Sequence, residues 1–507
     1  MTLPDLDIDD RAKKAMAPPV STEWFFVAWY LGIALWVGRL RYKLMFWVLS
    51  RRRGVWITRK FVAILRAIHP VPRLGKIAIP LRAADLRDML RRVDDFNAAE
   101  AMCPRLPAGQ VVLAIDWPRR HGEERARLEE VLDHARLTDD ARIREIVRDR
   151  CHKDFGAYPC LNGRNLARLC EDVAFDVAEG HLGIGVGTGP ERDKLRPIIR
   201  WLAARVFQGP VKGSPEETFA LIASDRMQSL AQHCFEQADA ELRQAAADGR
   251  PIPPEKMTVL QRMIALRNNG DPALGAALGL KPRVHPNLPH AKWLDDDWII
   301  RNIVTLTVFG SVTSARAMTQ AIPRLLEDDE RWRAGLAASQ GYARCNPDGY
   351  DHTVASSDER DTIEKYRLRL REVVFEAMRW HPMLSMLGFR TTLRDTVLSS
   401  ETPEKTRVAA GAQVLPLLLG AMHDPEGFPD PGRFCPHERS VGDHLHFGAG
   451  PHECVGRHMA EIQLEEITHA LFQHRCVALK RPKCQPIEYE GPCVTKLEFK
   501  TCSSPAS

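Results

Sequence analysis

At 507 residues, 44% hydrophobic and 27% charged, the chain has the make-up of an ordinary soluble globular protein, long for one domain yet within reach of a single large core. Lys plus Arg number 71 against 66 Asp plus Glu, and both signs are interspersed, so the charge gives no support for nucleic-acid binding. The 12 cysteines are scattered without the close pairing of zinc sites, and read mostly as small buried hydrophobes in a reducing compartment.

The first twenty residues carry Asp5, Asp7, Asp9 and Asp10 where a secretory signal would be basic, so a cytoplasmic setting is expected. Trp24 to Gly38, WFFVAWYLGIALWVG, is uncharged and aromatic-rich, shorter than the roughly 20 residues that span a bilayer, and is followed by Arg39, Arg41 and Lys43. Two readings stand side by side for residues 1–55: a segment in peripheral contact with a membrane through residues 24–50, held by snorkelling basic side chains, or an N-terminal helix packed on the rest.

From 56 to 507 the periodicity is mainly helical, with Pro- or Gly-marked breaks. HGEERARLEEVL, EETFALIASDRMQSLAQHCFEQADAELRQAAA and TIEKYRLRLREVVFEAMRW are the clearest helices, while VWIT from Val55, AQVLPLLL from Ala412 and KLEF from Lys496 are short strand-like runs. Stretches near 250–256 and 280–289 read as surface loops. One large mainly α (α+β) domain with a small β-rich part is expected. GIGVGTG near 183 lacks the strand–turn–helix context of a dinucleotide fingerprint.

Phe447 to Gly456 reads FGAGPHECVG. A thiolate is a strong, soft iron ligand, and glycines let a loop turn tightly and approach a flat macrocycle without a side chain in the way. After Cys454, the spacing of Val455, Met459, Ile462 and Ile467 is helical, which puts the cysteine at a helix N-terminus where a thiolate is favoured. The spacing F-G-x-G-x-H-x-C-x-G resembles the haem-ligand loop of the cytochromes P-450, the haem-thiolate oxygenases. Six residue types at fixed spacing arise by chance roughly once in 10⁵ chains of this length. The resemblance implies the cytochrome P-450 fold, haem b as cofactor, Cys454 as the axial iron ligand, and Phe447, Gly448 and Gly456 against the macrocycle.

Further residues fit the same family. FEAMRWHP supplies its Glu-x-x-Arg as Glu376 and Arg379, which share one helix face. The resemblance implies a buried network completed by an arginine before the cysteine loop; of Arg433 and Arg439, Arg439 lies at the better distance from Cys454. His121, Arg125, Arg390, His444 and His452 match its ligands for the haem propionates, which need cationic or hydrogen-bonding partners.

The distal helix departs from the pattern. IVTLTVFGSVTSARAMTQ aligns Gly310 and Thr313 with the family's catalytic glycine and threonine, but Phe309 replaces a small residue and Val312 the proton-relaying acid. The first reading is a monooxygenase that inserts one atom of dioxygen into an apolar small molecule, with electrons from a separate ferredoxin or flavoprotein reductase. The alternative is a hydroperoxide-using enzyme that needs no reductase, and the second alternative a non-catalytic haem-thiolate sensor. Arg119, Arg120, Arg127 and Arg457 are the candidates for docking an acidic electron donor. Residues 102–111, 200–235, 304–313 and 383–389 are expected around the substrate, with Phe309, Val312, Met386 and Leu387 in the pocket; their apolar character favours a lipid, terpenoid or aromatic compound.

Overall fold

A computed structural model describes residues 52–98, 111, 119–133, 136–156, 158, 160–208, 215–268, 295–346, 356–384, 388–399, 405–490 and 493–500. The segment Trp24–Gly38, the loop near 280–289, and Met386 and Leu387 lie outside them. The fold is mainly helical with small sheets.

Helix α1 (Arg52–Ile68) opens the described chain, followed by β1 (Arg73–Leu74), β2 (Ile77–Ala78), α2 (Ala83–Arg91) and β3 (Phe96–Asn97). α1 runs through the expected boundary at residue 55, and VWIT, expected as a strand, lies within its first half. Four residues cannot outweigh a helical period that holds over 17. Then come α3 (Arg119–Asp133), α4 (Arg136–Cys151), α5 (Leu166–Val177), α6 (Pro190–Gln208), α7 (Pro215–Ala247) and α8 (Val259–Asn268).

The spine is α9 (Asp296–Leu325), 30 residues or about 45 Å at 1.5 Å per residue. Asp295 caps it by accepting from the Trp298 N–H at 2.8 Å, and Asp296 and Asp297 in the first turn complement the helix dipole. Its first half belongs to a core with α6, α7 and α8; its last half joins a second core with α4, α5 and the helices that follow. A helix shared by two cores has little freedom to shift, which makes it a firm platform for side chains that must hold position.

Next are α10 (Asp329–Cys345) and α11 (Ser357–Trp380), the latter opened by a capping box in which Ser356 and Glu359 satisfy each other's backbone N–H. His381 and Pro382 stop α11 just after Arg379. β4 (Arg390–Thr392), β5 (Thr396–Leu398), β6 (Thr406–Val408) and β7 (Gln413–Val414) follow, with a short α12 (Leu418–Ala421). A five-stranded sheet has the order β1-β2-β7-β4-β3, with only β2 and β7 parallel, and pairing of Arg390 with Val414 fixes where Arg390 stands. α13 (Arg457–Gln473), α14 (Arg475–Leu479) and the strands β8 (Lys483–Cys484), β9 (Glu488–Glu490), β10 (Cys493–Lys496) and β11 (Phe499–Lys500) complete the order.

Candidate active site

The cysteine loop is built before α13 begins. The Cys454 N–H donates to the Phe447 carbonyl at 2.9 Å and the Glu453 N–H to that of Gly450 at 2.9 Å, closing a tight loop whose open end is Gly456, the residue before α13. Gly450 has φ +74°, and a Cβ there would stand 2.7 Å from the Leu90 carbonyl oxygen, so both conformation and space require glycine. Gly448, at φ +77°, makes the other left-handed turn. Burial pushes the Cys454 thiol up, while the Gly456 N–H and the positive charge of Arg125 oppose that shift.

Facing the loop across a cavity of about 260 Å³ is α9. Phe309, Gly310 and Thr313 line the cavity, and nothing lies within 4 Å of where a Cβ on Gly310 would stand. Thr313 Oγ1 donates to the Phe309 carbonyl at 2.7 Å, which fixes the hydroxyl at the cavity wall. Counting back from Thr313 by the helical period leads to Leu306, Thr305 and Asn302, which line the cavity as well; only Leu306 and Thr305 fall within the segment expected from sequence. Val312 does not line it: a residue before Thr313 points about 100° away, and it borders a separate small hollow with Glu171 and Arg196. Val111, Phe207, Met383 and Leu384 bring in the other expected segments, and Phe207 meets Phe309 edge to face with ring centroids 5.8 Å apart.

A flat macrocycle with two carboxylates needs apolar walls, room opposite its ligand and donors at its rim, and the residues present meet those needs. Arg390 lines the cavity buried, donates only to the Gly388 and Phe389 carbonyls at 2.9 and 3.2 Å, and has no carboxylate within ion-pair distance among the described residues. Burial lowers its pKa to about 10. A buried cation without an anion is costly unless a ligand supplies one. His452 also lines the cavity, its Nδ1 buried without a hydrogen bond, and the His121 ring stands 4.2 Å away. Burial lowers both, His121 to about 4 and His452 to about 3. Phe447, Gly448 and Gly456 line the same cavity.

Two expected rim residues stand elsewhere. Arg125 turns to the cysteine loop, donating to the carbonyls of Glu453 and, at 3.3 Å, Pro451, while its Nε meets Glu129 at 2.6 Å. His444 is fully buried with its Nε2 3.5 Å from Glu376, and its Nδ1 is 3.1 Å from the Ser440 carbonyl. The residue at the cavity is His446, whose ring stacks on that of His444 at 5.5 Å and whose Nε2 lies 3.0 Å from the Phe375 carbonyl. The His-x-His spacing was the signal for it; both rings meet that of Phe375, at 5.9 and 5.5 Å, and spacing alone does not tell which of them reaches the cavity.

Behind the loop, Arg379 grips Glu376 through two bonds of 2.7 and 2.8 Å, with both side chains fully buried. Arg439 also pairs with Glu376 and donates to the carbonyls of Pro429 and Asp430 at 2.8 and 2.9 Å; Arg433 instead makes an exposed pair with Glu438. The network thereby ties α11 to the stretch that leads into the cysteine loop. Burial alone would raise the Glu376 carboxyl, but the hydrogen bonds from Arg379, the nearby His444 ring and the arginine charges outweigh it and hold the carboxyl at about 2. A second buried cluster went unread in the sequence: Arg144 of α4 holds Glu465 and Glu466 of α13 at 3.0 and 2.5 Å.

The docking surface expected for an electron donor is already paired where it is described. Arg127 meets Glu130 at 2.7 Å, and Arg457 meets Glu453 and Glu461 at 2.6 and 2.8 Å. The side chains of Arg119 and Arg120 lie outside the described residues.

Comparison with known proteins places this geometry. A family model for cytochrome P450 matches residues 355–501. Cyclooctat-9-en-7-ol 5-monooxygenase of Streptomyces melanosporofaciens is 29% identical over 44% of this chain and 43% of its own length. A bifunctional dioxygenase–epoxy alcohol synthase of Pyricularia oryzae is 34% identical over 18% of this chain and 8% of its own. The chain thus spans less than half the length of these curated relatives. Among solved structures, the P450 heme domain of Tepidiphilus thermophilus matches 88% of this chain and 95% of its own with a TM-score of 0.62 at 18% identity. CYP164A2 of Mycobacterium smegmatis with econazole bound matches 90% and 99% with a TM-score of 0.62 at 16%. At such identities the likeness is one of fold. The matched stretch holds both the Glu376–Arg379 helix and the Cys454 loop, so over residues 355–501 the chain is similar to the cytochrome P450 family, whose members carry haem b, and over the parts that stretch leaves out it shares the fold of P450 heme domains.

Proposed function

We propose that the protein is a haem-thiolate monooxygenase that inserts one oxygen atom from dioxygen into an apolar small molecule, with electrons from a separate redox partner. The observation that carries this reading is the arrangement across one cavity: a cysteine on one wall, and Gly310 with the Thr313 hydroxyl on the other. Haem held by a thiolate supplies the activation of dioxygen. Cys454 is the proposed ligand, with the Gly456 N–H tempering its charge and Gly448 and Phe447 seating the macrocycle. Arg390, His121 and His452 are proposed to bind the propionates, and Arg125 to hold the loop that carries Cys454.

Gly310 leaves the space opposite the cysteine open, and Thr313 Oγ1 is placed to hold a proton there or pass it through a water. No carboxylate occupies the position before it, so the hydroxyl and solvent carry the proton. Phe207, Leu306, Phe309 and Met383 exclude bulk water and orient an apolar body, and Asn302 and Thr305 offer the few polar groups. Glu376, Arg379 and Arg439 are positioning residues for the loop. Among the described residues no helix is long and apolar enough to cross a membrane; residues 24–50 are proposed as a peripheral membrane segment of a cytoplasmic protein.

Val312 in the acid's place favours, as second reading, a hydroperoxide-using enzyme, and one relative carries the name epoxy alcohol synthase. The test offers the ferric protein a panel of fatty-acid hydroperoxides without electron donor, and in parallel a ferredoxin–reductase pair with isotopically heavy dioxygen and a terpenoid panel. Heavy oxygen in product supports the monooxygenase; catalytic loss of hydroperoxide with no such product overturns it.

A further inference from the structure

Helix α1 is built inside out. Its inner face is fixed to the body by polar bonds: Arg66 donates to the carbonyls of Gly420 and His423 at 3.0 Å each, and Arg59 lies over the Trp380 ring at 4.5 Å. Val62, between them, is buried beside Gly420. The outer arc carries Trp56, Ile57, Phe61, Ile64 and Ile68, each at least 57% exposed, and Leu74 on the neighbouring hairpin is 71% exposed. Of the ten large apolar side chains exposed among the described residues, these are six; the other four are scattered over α7, α11, α14 and the turn after β4. A helix facing water would reverse this pattern, and a contiguous apolar patch of this kind marks a binding surface.

Charge identifies the occupant. Between Glu23 and Asp85 the sequence has no acidic residue, while 12 positions are Lys or Arg. Lys60 is exposed with its Nζ 5.9 Å from the Trp56 ring centroid, and Arg73 and Lys76 are exposed on the hairpin that follows α1 in the chain. An acid-free basic rim about an apolar face that includes a tryptophan matches the interface of an anionic bilayer, where aromatic and aliphatic groups enter the acyl boundary and basic groups meet headgroup phosphates.

We infer that the outer face of α1, with the β1–β2 hairpin beside it, is a docking surface for an anionic lipid bilayer. Because Arg59 and Arg66 fix the helix to the body, docking sets the orientation of the whole domain on the membrane. The surface is separate from the cavity, and the inference stands apart from the choice of oxidant.

The test uses the full-length holoprotein in flotation with vesicles of phosphatidylcholine alone or with phosphatidylglycerol. Wild type is expected to partition onto the phosphatidylglycerol vesicles, less so at high salt, and Phe61→Glu with Ile64→Glu to lower the partition at least about tenfold with an unchanged carbon monoxide difference spectrum. A variant that partitions like wild type overturns the inference, because residues before α1 would then cover this face or carry the binding alone. Wild type that floats with neither vesicle, or equally with both, overturns it too.

Discussion

Replacing Arg379 by alanine removes five hydrogen bonds from a fully buried guanidinium: two to Glu376 at 2.7 and 2.8 Å, and three to the carbonyls of Met422, Pro431 and Arg433 at 3.0, 3.1 and 3.2 Å. Adding five charge-assisted bonds at about 1.5–3 kcal/mol each would give about 7–15 kcal/mol. That sum is too large, because Arg439 and the Cys435 N–H still satisfy part of the Glu376 carboxylate. The loss of one partner from a buried pair, about 3–5 kcal/mol, is the better measure. Against a total stability of about 5–15 kcal/mol, such a loss takes a large share. Arg433→Ala provides the contrast: its side chain makes only an exposed pair with Glu438, worth under about 1 kcal/mol, and its carbonyl stays in place to receive Arg379. Denaturant titration of the holoproteins, followed at the haem band and paired with haem content per chain, measures both. Arg379→Ala with wild-type stability and haem content, or Arg433→Ala with an equal loss, would refute the account of the network.

Three further outcomes follow from the geometry. Arg390→Leu should leave the apoprotein as stable as wild type or more so, because a buried unpaired charge is gone, yet speed haem transfer to apomyoglobin roughly 10- to 100-fold, the worth of a charge-assisted bond or two. Thr313→Val should lower product formed per oxygen consumed on the order of 10²-fold, with Thr313→Ser recovering much of it; equal ratios for all three proteins would remove Thr313 from proton delivery. Acid should act through Glu376 and Glu466, both held at about 2 against an ordinary 4.5: burial opposes the shift, and the hydrogen bonds and charges of Arg379 for one and Arg144 for the other overcome it. Folded-state values below the unfolded ones give stability that is present above about pH 4.5 and is lost as pH falls toward 2; a melting temperature flat across that window would contradict the buried pairs.

The long helices α3, α7 and α11 were legible because helical period and capping residues persist over several turns, and Cys454 because its loop needs glycine at fixed places. The direction of a side chain was harder. Val312 and His444 sit one or two residues from Thr313 and His446, and which of each pair meets the cavity depends on helix phase for the first and on the path of the chain before the cysteine loop for the second. The cluster of Arg144 with Glu465 and Glu466 joins residues more than 300 apart in sequence, which no local pattern reports. α1 misled for another reason: VWIT reads as a short strand when taken as four residues, while the helical period that contains it runs over 17.

Cys454 is the proposed ligand of the haem iron. The measurement is the carbon monoxide difference spectrum of the reduced protein, compared between wild type, Cys454→Ala and Cys435→Ala, the last removing a buried cysteine away from the cavity wall. A thiolate-type band is expected in wild type and Cys435→Ala and its loss in Cys454→Ala alone; a thiolate-type band that survives in Cys454→Ala would contradict ligation by Cys454.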